Sequence, residues 1–283
     1  MPGIIWLASY PKSGNTWLRA FIATYMKNPT VPLPINELRY HAFGDGFLSH
    51  YEKATGRKAE ELSEDDLRRY RPQMHRFLGS HPTDTVFVKT HNLLGDESGV
   101  PLITPDITAG AIYVVRNPLD VVESFANHYS LTCEETVEIL CAENYVLPGI
   151  EGLKTHDFVG SWSQHVESWI KGPGLRLHAM RYEDMLAKPG PTFRNLVKFL
   201  QLPIEPPRVR KAIKFTSFDE LKKQENYTNF SEAPPVEGKT FFRKGQVGGW
   251  RDTLTDDQVA RIVDTHRDYM QKFGYLNKKG EPV

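Results

Sequence analysis

The chain has 283 residues, and its 35 Lys plus Arg are balanced by 35 Asp plus Glu. That length is enough for a real core in one large or two small domains, and 40% apolar with 25% charged residues is an ordinary globular composition. A formal net charge of zero excludes a bulk electrostatic pull toward nucleic acid or an anionic membrane, so any anion site must be local.

Ile4–Ala8 is a short apolar run that reads as a buried strand. Pro11 and Lys12 interrupt that run, so the start does not read as a signal peptide. Thr16–Lys27 carries apolar residues at helical spacing. Further strands are expected at Val86–Lys89, Ala111–Val115 and Leu175–Met180. Helices are expected at Pro118–Ser130, Gly160–Lys171, Pro191–Leu200, Pro207–Lys214 and Thr255–Phe273. Strand then helix, repeated, predicts a parallel sheet covered on both faces, with ligands past the carboxyl ends of its strands. Two segments break the alternation. Residues 28–84 hold an expected helix at Glu64–Tyr70 behind the cap Ser63, and residues 222–242 read as a long loop. Both are candidate lid or acceptor-binding segments. No stretch approaches the ~18 apolar residues of a membrane span. Cys133 and Cys141 are eight apart in a helical stretch, too far to bridge, and idle thiols suit a reducing cytoplasm.

The chemistry sits at the strand ends. Ser9-Tyr10-Pro11-Lys12-Ser13-Gly14-Asn15-Thr16-Trp17 joins the first strand to the first helix. Orphan N–H groups at a helix N-terminus attract an anion, Lys12 adds a full charge, and Ser13 and Thr16 add hydroxyls. The loop is not a nucleoside-triphosphate P-loop, because Lys12 precedes Gly14 instead of following it. An ordinary strand–helix turn with a solvated lysine is the alternative. In Lys89-Thr90-His91, strand alternation puts Lys89 and His91 on one side. There a lysine can neutralise a leaving group and a histidine can remove a proton, although an isolated histidine at a strand end is more often simply solvated. Arg116 precedes the cap Asn117 and the first-turn Pro118, where guanidinium and backbone together can hold a phosphate. Asp120, Ser124 and His128 share one face of that helix. Tyr182, in Arg181-Tyr182-Glu183-Asp184-Met185, reads as a base-contacting aromatic or as core. Arg243-Lys244-Gly245, ahead of Gly248-Gly249, reads as cations beside an anion-binding turn.

In this order the motifs resemble the cytosolic-type sulfotransferases that use 3′-phosphoadenosine 5′-phosphosulfate (PAPS), from residue 4 to about residue 252. The loop from Tyr10 to Trp17 is similar to that family's phosphosulfate loop, Arg116 with Ser124 to its 3′-phosphate motif, and Lys89-Thr90-His91, Tyr182–Met185, Thr216-Ser217-Phe218 and Arg243-Lys244-Gly245 to its remaining motifs. Gly248-Gly249-Trp250-Arg251 departs from the family's Gly-Asp-Trp-Lys, and Thr253–Val259 holds no clear counterpart of its dimer motif, leaving the oligomeric state open. The loop start, the short chain and the stretch Gly160–Trp169 look more like bacterial members, some of which modify glycopeptides and other small molecules.

The resemblance implies a single P-loop-like α/β domain over residues 1–283, with a central parallel sheet flanked by helices and with substrate-covering loops. It implies a cytoplasmic enzyme that moves a sulfuryl group from PAPS to a hydroxyl or amine of a small molecule or glycoside, without a metal and without nucleic acid. His91 would be the general base, Lys12 would stabilise the leaving phosphate and Lys89 would support the sulfuryl group. Ser13, Gly14, Asn15 and Thr16 would cradle the phosphosulfate. Arg116, Ser124, Arg243, Lys244 and Gly245 would grip the 3′-phosphate, and Trp17, Tyr182, Thr216 and Phe218 would frame adenine. An atypical P-loop nucleotide or sugar kinase, or a catalytically inactive nucleotide-binding homologue, is the alternative.

Overall fold

The computed structural model describes residues 3–80, 85–234, 236 and 239–283. Residues 81–84 of the first candidate lid segment and residues 235, 237 and 238 of the second lie outside the described residues. In chain order the elements are β1 (Gly3–Ser9), α1 (Asn15–Lys27), β2 (Phe43–Gly44), α2 (Leu48–Thr55), α3 (Glu64–Gly79), β3 (Thr85–Thr90), β4 (Asp96–Glu97) and β5 (Val100–Pro101). They continue through β6 (Thr108–Val115), α4 (Pro118–Tyr129), α5 (Cys133–Cys141), β7 (Val146–Leu147), β8 (Asp157–Phe158), α6 (Trp162–Ile170) and β9 (Leu177–Arg181). The chain closes with α7 (Tyr182–Ala187), α8 (Pro189–Phe199), α9 (Pro206–Phe215), α10 (Phe218–Tyr227) and α11 (Asp256–Lys272).

Five strands form one parallel sheet in the order β2-β3-β1-β6-β9, flanked by helices as the alternation predicts. β1 is buried along its whole length, which is why its sequence is a continuous apolar run with no polar alternation. Its register runs from Gly3 opposite Thr85 to Ala8 opposite Thr90. From β1 the chain runs to β2 and β3 on one side, and after β3 it crosses to β6 on the other side of β1. That reversal is where ligands of open α/β sheets collect, beyond the strands' carboxyl ends.

The fold divides into two compact units. The first comprises residues 1–10, 42–113 and 142–179, and carries most of the sheet. Its core includes Trp6, Met74, Val88, Trp162 and Trp169, and α3 packs on β1 and β3. The second comprises residues 11–41, 114–141 and 180–283. Phe21 stacks on Phe193 at 4.0 Å in its core, and Leu18, Phe125 and Met270 of this unit are also buried.

Several expected boundaries move, each for a local reason. The helix behind Ser63 does not stop at Tyr70 but runs through Pro72 to Gly79. Proline usually ends a helix; here a full capping box starts it, and buried Met74, His75 and Leu78 anchor its far half. Residues 222–227 are the end of helix α10, so the expected long loop begins only after Tyr227. Only Leu221 of that helix is buried, so its sequence shows almost no apolar periodicity. Tyr182 starts a helix behind the cap Arg181 and does not end a strand.

Candidate active site

The loop after β1 is built around two left-handed residues, Lys12 (φ 66°) and Gly14 (φ 106°). Gly14 caps α1 without a side-chain hydrogen bond, and the first turn of α1 holds no acidic residue. The dipole and N–H groups of that buried turn are therefore not offset by a carboxylate within it. A Cβ on Gly14 would meet Tyr182 Cδ2 at 2.7 Å, so glycine is required for two independent reasons. Ser13 Oγ and Trp17 Nε1 are buried with no hydrogen-bond partner among the described residues. Unsatisfied buried donors around a positive helix end fit a phosphorylated ligand.

Arg116 joins this loop to the rest of the second unit. Its Nη1 donates to Lys12 O at 3.1 Å, and its guanidinium lies 4.5 Å above the Tyr182 ring. Asn117 caps α4, its Oδ1 accepting from Leu119 N–H at 3.1 Å. Trp17 meets the Tyr182 ring edge-on at 5.9 Å. Lys12 Nζ sits 3.7 Å from the centre of the Phe241 ring. Thus Lys12, Gly14, Trp17, Arg116 and Tyr182 form one cluster.

The closing motif is assembled on α4 and α10. Gly245 (φ 60°) lies flat against Phe218, where a Cβ would come within 2.4 Å of the ring. Arg243 and Lys244 both pair with Glu123, the residue before the half-buried Ser124. Thr216 is buried and donates its hydroxyl proton to Ala212 O at 2.8 Å, leaving it only acceptor capacity for a ligand.

Three carboxylates make contacts that the sequence does not announce. Asp120 accepts from Gly248 N–H at 2.9 Å and so pins the glycine-rich turn to α4. Glu183 accepts from Asn117 N–H at 2.9 Å and from the Tyr275 hydroxyl at 3.0 Å, bracing the backbone beside Arg116; burial raises its pKa. Glu232 accepts from buried Arg19 at 2.7 Å. Their partners lie 66 to 213 residues away, so no local pattern announces them.

In the first unit, Lys89 and His91 are half-buried on one side of the β3 end and Thr90 is buried on the other, as alternation predicts. His91 Nδ1 lies 2.8 Å from Ser9 O, in the last residue of β1. A carbonyl can only accept, so Nδ1 carries the proton and Nε2 presents a lone pair. Burial first, then the charges of Lys89 and Lys154, hold the His91 pKa well below its ordinary value, keeping the ring neutral at pH 7.

The same logic fixes the support behind it. His165 Nε2 lies 3.0 Å from His91 O and must donate, so its Nδ1 accepts from the Tyr113 hydroxyl at 2.8 Å. His165 is fully buried, and desolvation pushes its pKa down to about 3. The segment after His91 is tied by Asn92, which donates to Asp45 at 3.1 Å and accepts from Phe158 N–H at 2.7 Å. A cavity of about 320 Å³ opens from Leu93, lined also by Asp96, Glu97, Tyr145, Phe158 and Gly160. Of the other aromatics in the segments expected to face an acceptor, Tyr51 is 1% exposed and belongs to the core, whereas Tyr227 is 81% exposed.

The sulfotransferase-domain family model matches residues 2–274. The chain belongs to the sulfotransferase family. Flavonol 3-sulfotransferase of Flaveria bidentis is 26% identical over 277 residues, covering 92% of this chain and 80% of its own length. Cytosolic sulfotransferase 10 of Arabidopsis thaliana is 30% identical over 270 residues, covering 90% of this chain and 74% of its own. The crystal structure of retinol dehydratase in complex with androsterone and the inactive cofactor PAP covers 95% of this chain and 81% of its own, at 20% identity and a TM-score of 0.65; it speaks for the fold. This sulfotransferase is therefore an enzyme of sulfuryl transfer, and the kinase reading falls away. Among the described residues no helix is long and apolar enough to cross a membrane, and no group of three or more His, Cys, Asp and Glu is placed to hold a metal ion.

Proposed function

We propose that this sulfotransferase takes its sulfuryl group from PAPS and delivers it to a hydroxyl or amine of a small-molecule or glycoside acceptor. The observation that carries the donor half is the N-terminus of α1, which has no side-chain cap or first-turn acid and is flanked by Lys12, Arg116 and the unpartnered Ser13 hydroxyl. PAP in the solved neighbour supports the same donor. Gly14, Asn15 and Thr16 cradle the 5′-phosphosulfate with Ser13. Arg116, Ser124, Arg243, Lys244 and Gly245 hold the 3′-phosphate. Trp17, Tyr182, Thr216 and Phe218 frame adenine, with the Tyr182 ring already fixed between Gly14 and Arg116.

Sulfuryl transfer, like phosphoryl transfer, passes through a loose in-line transition state with charge spread over equatorial oxygens, so catalysis is mainly positioning and charge stabilisation. Lys12 exchanges the face of Phe241 for the oxygen on which the leaving phosphate develops charge. Lys89 supports the sulfuryl oxygens. His91 Nε2 takes the acceptor's proton as the new S–O or S–N bond forms, and the Ser9 carbonyl then stabilises the imidazolium through Nδ1–H. A low pKa makes His91 a weak base, which suits a transfer in which the acceptor proton leaves late.

The test is calorimetric titration with PAP and with adenosine 5′-phosphate (AMP), paired with transfer assays using PAPS or ATP–Mg²⁺. Each charge-assisted contact to the 3′-phosphate contributes roughly 1.5–3 kcal/mol, so PAP should bind far more tightly than AMP. Equal affinities would overturn the donor assignment.

A further inference from the structure

Glu123 stands where a nucleotide-binding cation pair would be expected to be open. It lies on α4 beside Ser124, and its Oε1 receives both Lys244 Nζ, at 2.7 Å, and Arg243 Nη2. Its side chain is 14% exposed, against 35% for Arg243 and 41% for Lys244. The backbone of Arg243 is separately held, its carbonyl accepting from Lys222 Nζ at 3.0 Å. One partly buried carboxylate thus neutralises half the charge of the motif that closes the donor site.

A nucleotide 3′-phosphate seeks the same two donors and carries a charge of roughly −1.5 to −2 near neutral pH. Brought to Arg243 and Lys244, it meets Glu123 as a like charge, and like charges in one partly desolvated site oppose each other. We propose that Glu123 is an internal counter-anion that competes with the donor's 3′-phosphate for Arg243 and Lys244. It is a specificity-determining residue that lowers affinity for 3′-phosphorylated nucleotides and narrows their advantage over nucleotides lacking that group. In the empty protein it keeps two neighbouring cations from repelling each other. After transfer it reclaims both cations and so favours release of PAP. The inference rests on assigning Arg243 and Lys244 to the 3′-phosphate.

The rival role has the opposite sign. If Glu123 chiefly positions the two cations for the phosphate, its loss weakens PAP binding. The experiment is calorimetry of PAP and AMP with wild type, Glu123→Gln and Glu123→Ala, with circular dichroism and melting temperature of the nucleotide-free proteins to establish folding. In both variants PAP should tighten by about tenfold, equivalent to removing a like-charge contact near 1.4 kcal/mol, while AMP changes by less than about twofold. A PAP-to-AMP preference that stays level or falls in both folded variants, with wild type favouring PAP, overturns the inference alone. Failure of wild type and both variants to favour PAP overturns the donor assignment and this inference with it.

Discussion

Gly14→Ala tests whether the loop after β1 is the donor cradle. The residue sits at φ 106°, ψ 14°, outside the wells open to an L-residue. Holding alanine there costs about 1–3 kcal/mol. The new Cβ would also lie 2.7 Å from Tyr182 Cδ2 and 3.3 Å from Cε2, so the buried ring must move. That ring carries the Arg116 guanidinium at 4.5 Å, a cation–π contact of about 0.5–2 kcal/mol that moves with it. Together these give about 1.5–5 kcal/mol, divided between folding and nucleotide binding according to how far the empty loop relaxes. The prediction is a folded variant whose lost PAP affinity, by calorimetry, and lost folding stability together amount to at least about 1.5 kcal/mol, which is roughly tenfold in PAP affinity if the empty loop relaxes fully and otherwise appears in part as a lowered melting temperature. A variant with wild-type melting temperature and PAP affinity within about threefold of wild type would refute the reasoning.

Lys12→Ala should chiefly lower turnover, because its charge is needed most as the leaving phosphate develops charge, whereas Arg116→Ala should chiefly weaken PAP binding. Single-turnover rates and PAP titrations on both variants check this, and a loss confined to PAP affinity in both would contradict the division. Acid should destabilise the fold. His75 and His165 are buried, their pKa values pushed to about 3 mainly by desolvation, and His266 to about 4. Below pH 6.5 the unfolded chain takes up protons that the folded one refuses, so stability present above pH 6.5 is lost as pH falls toward the folded values. Between pH 7 and pH 5 His75 and His165 each remove about 2 kcal/mol, and Asp45, raised to about 6, returns about 1 kcal/mol. Urea unfolding at the two pH values should differ by about 3 kcal/mol or more, and equal stabilities would rule out neutral burial of these rings.

The shape of the loop after β1 and the sheet were legible because their signals are local. Ile4–Ala8 is continuously apolar since both faces of β1 are covered, and Lys12, Gly14 and Asn117 carry backbone and capping demands within a few residues. Lys89 and His91 followed from strand alternation alone. What stayed hidden depends on contacts across the chain. Asp120, Glu123, Glu183 and His165 take their structural roles from partners more than fifty residues away, which no local pattern announces. Helix α10 was missed for a different reason. A helix that buries only Leu221 has almost no apolar face to show, and its cap Ser217 lies inside a motif read for its likeness to a family.

In the proposed reaction His91 receives the acceptor's proton during transfer from PAPS. It is tested most directly by single-turnover sulfuryl transfer from labelled PAPS, using the first acceptor that wild type modifies in a panel of phenols, alcohols, amines and glycosides. His91→Ala should fold, bind PAP as wild type does, and transfer about 10²–10⁴-fold more slowly. Near-wild-type transfer by a His91→Ala variant with intact PAP binding would contradict the account.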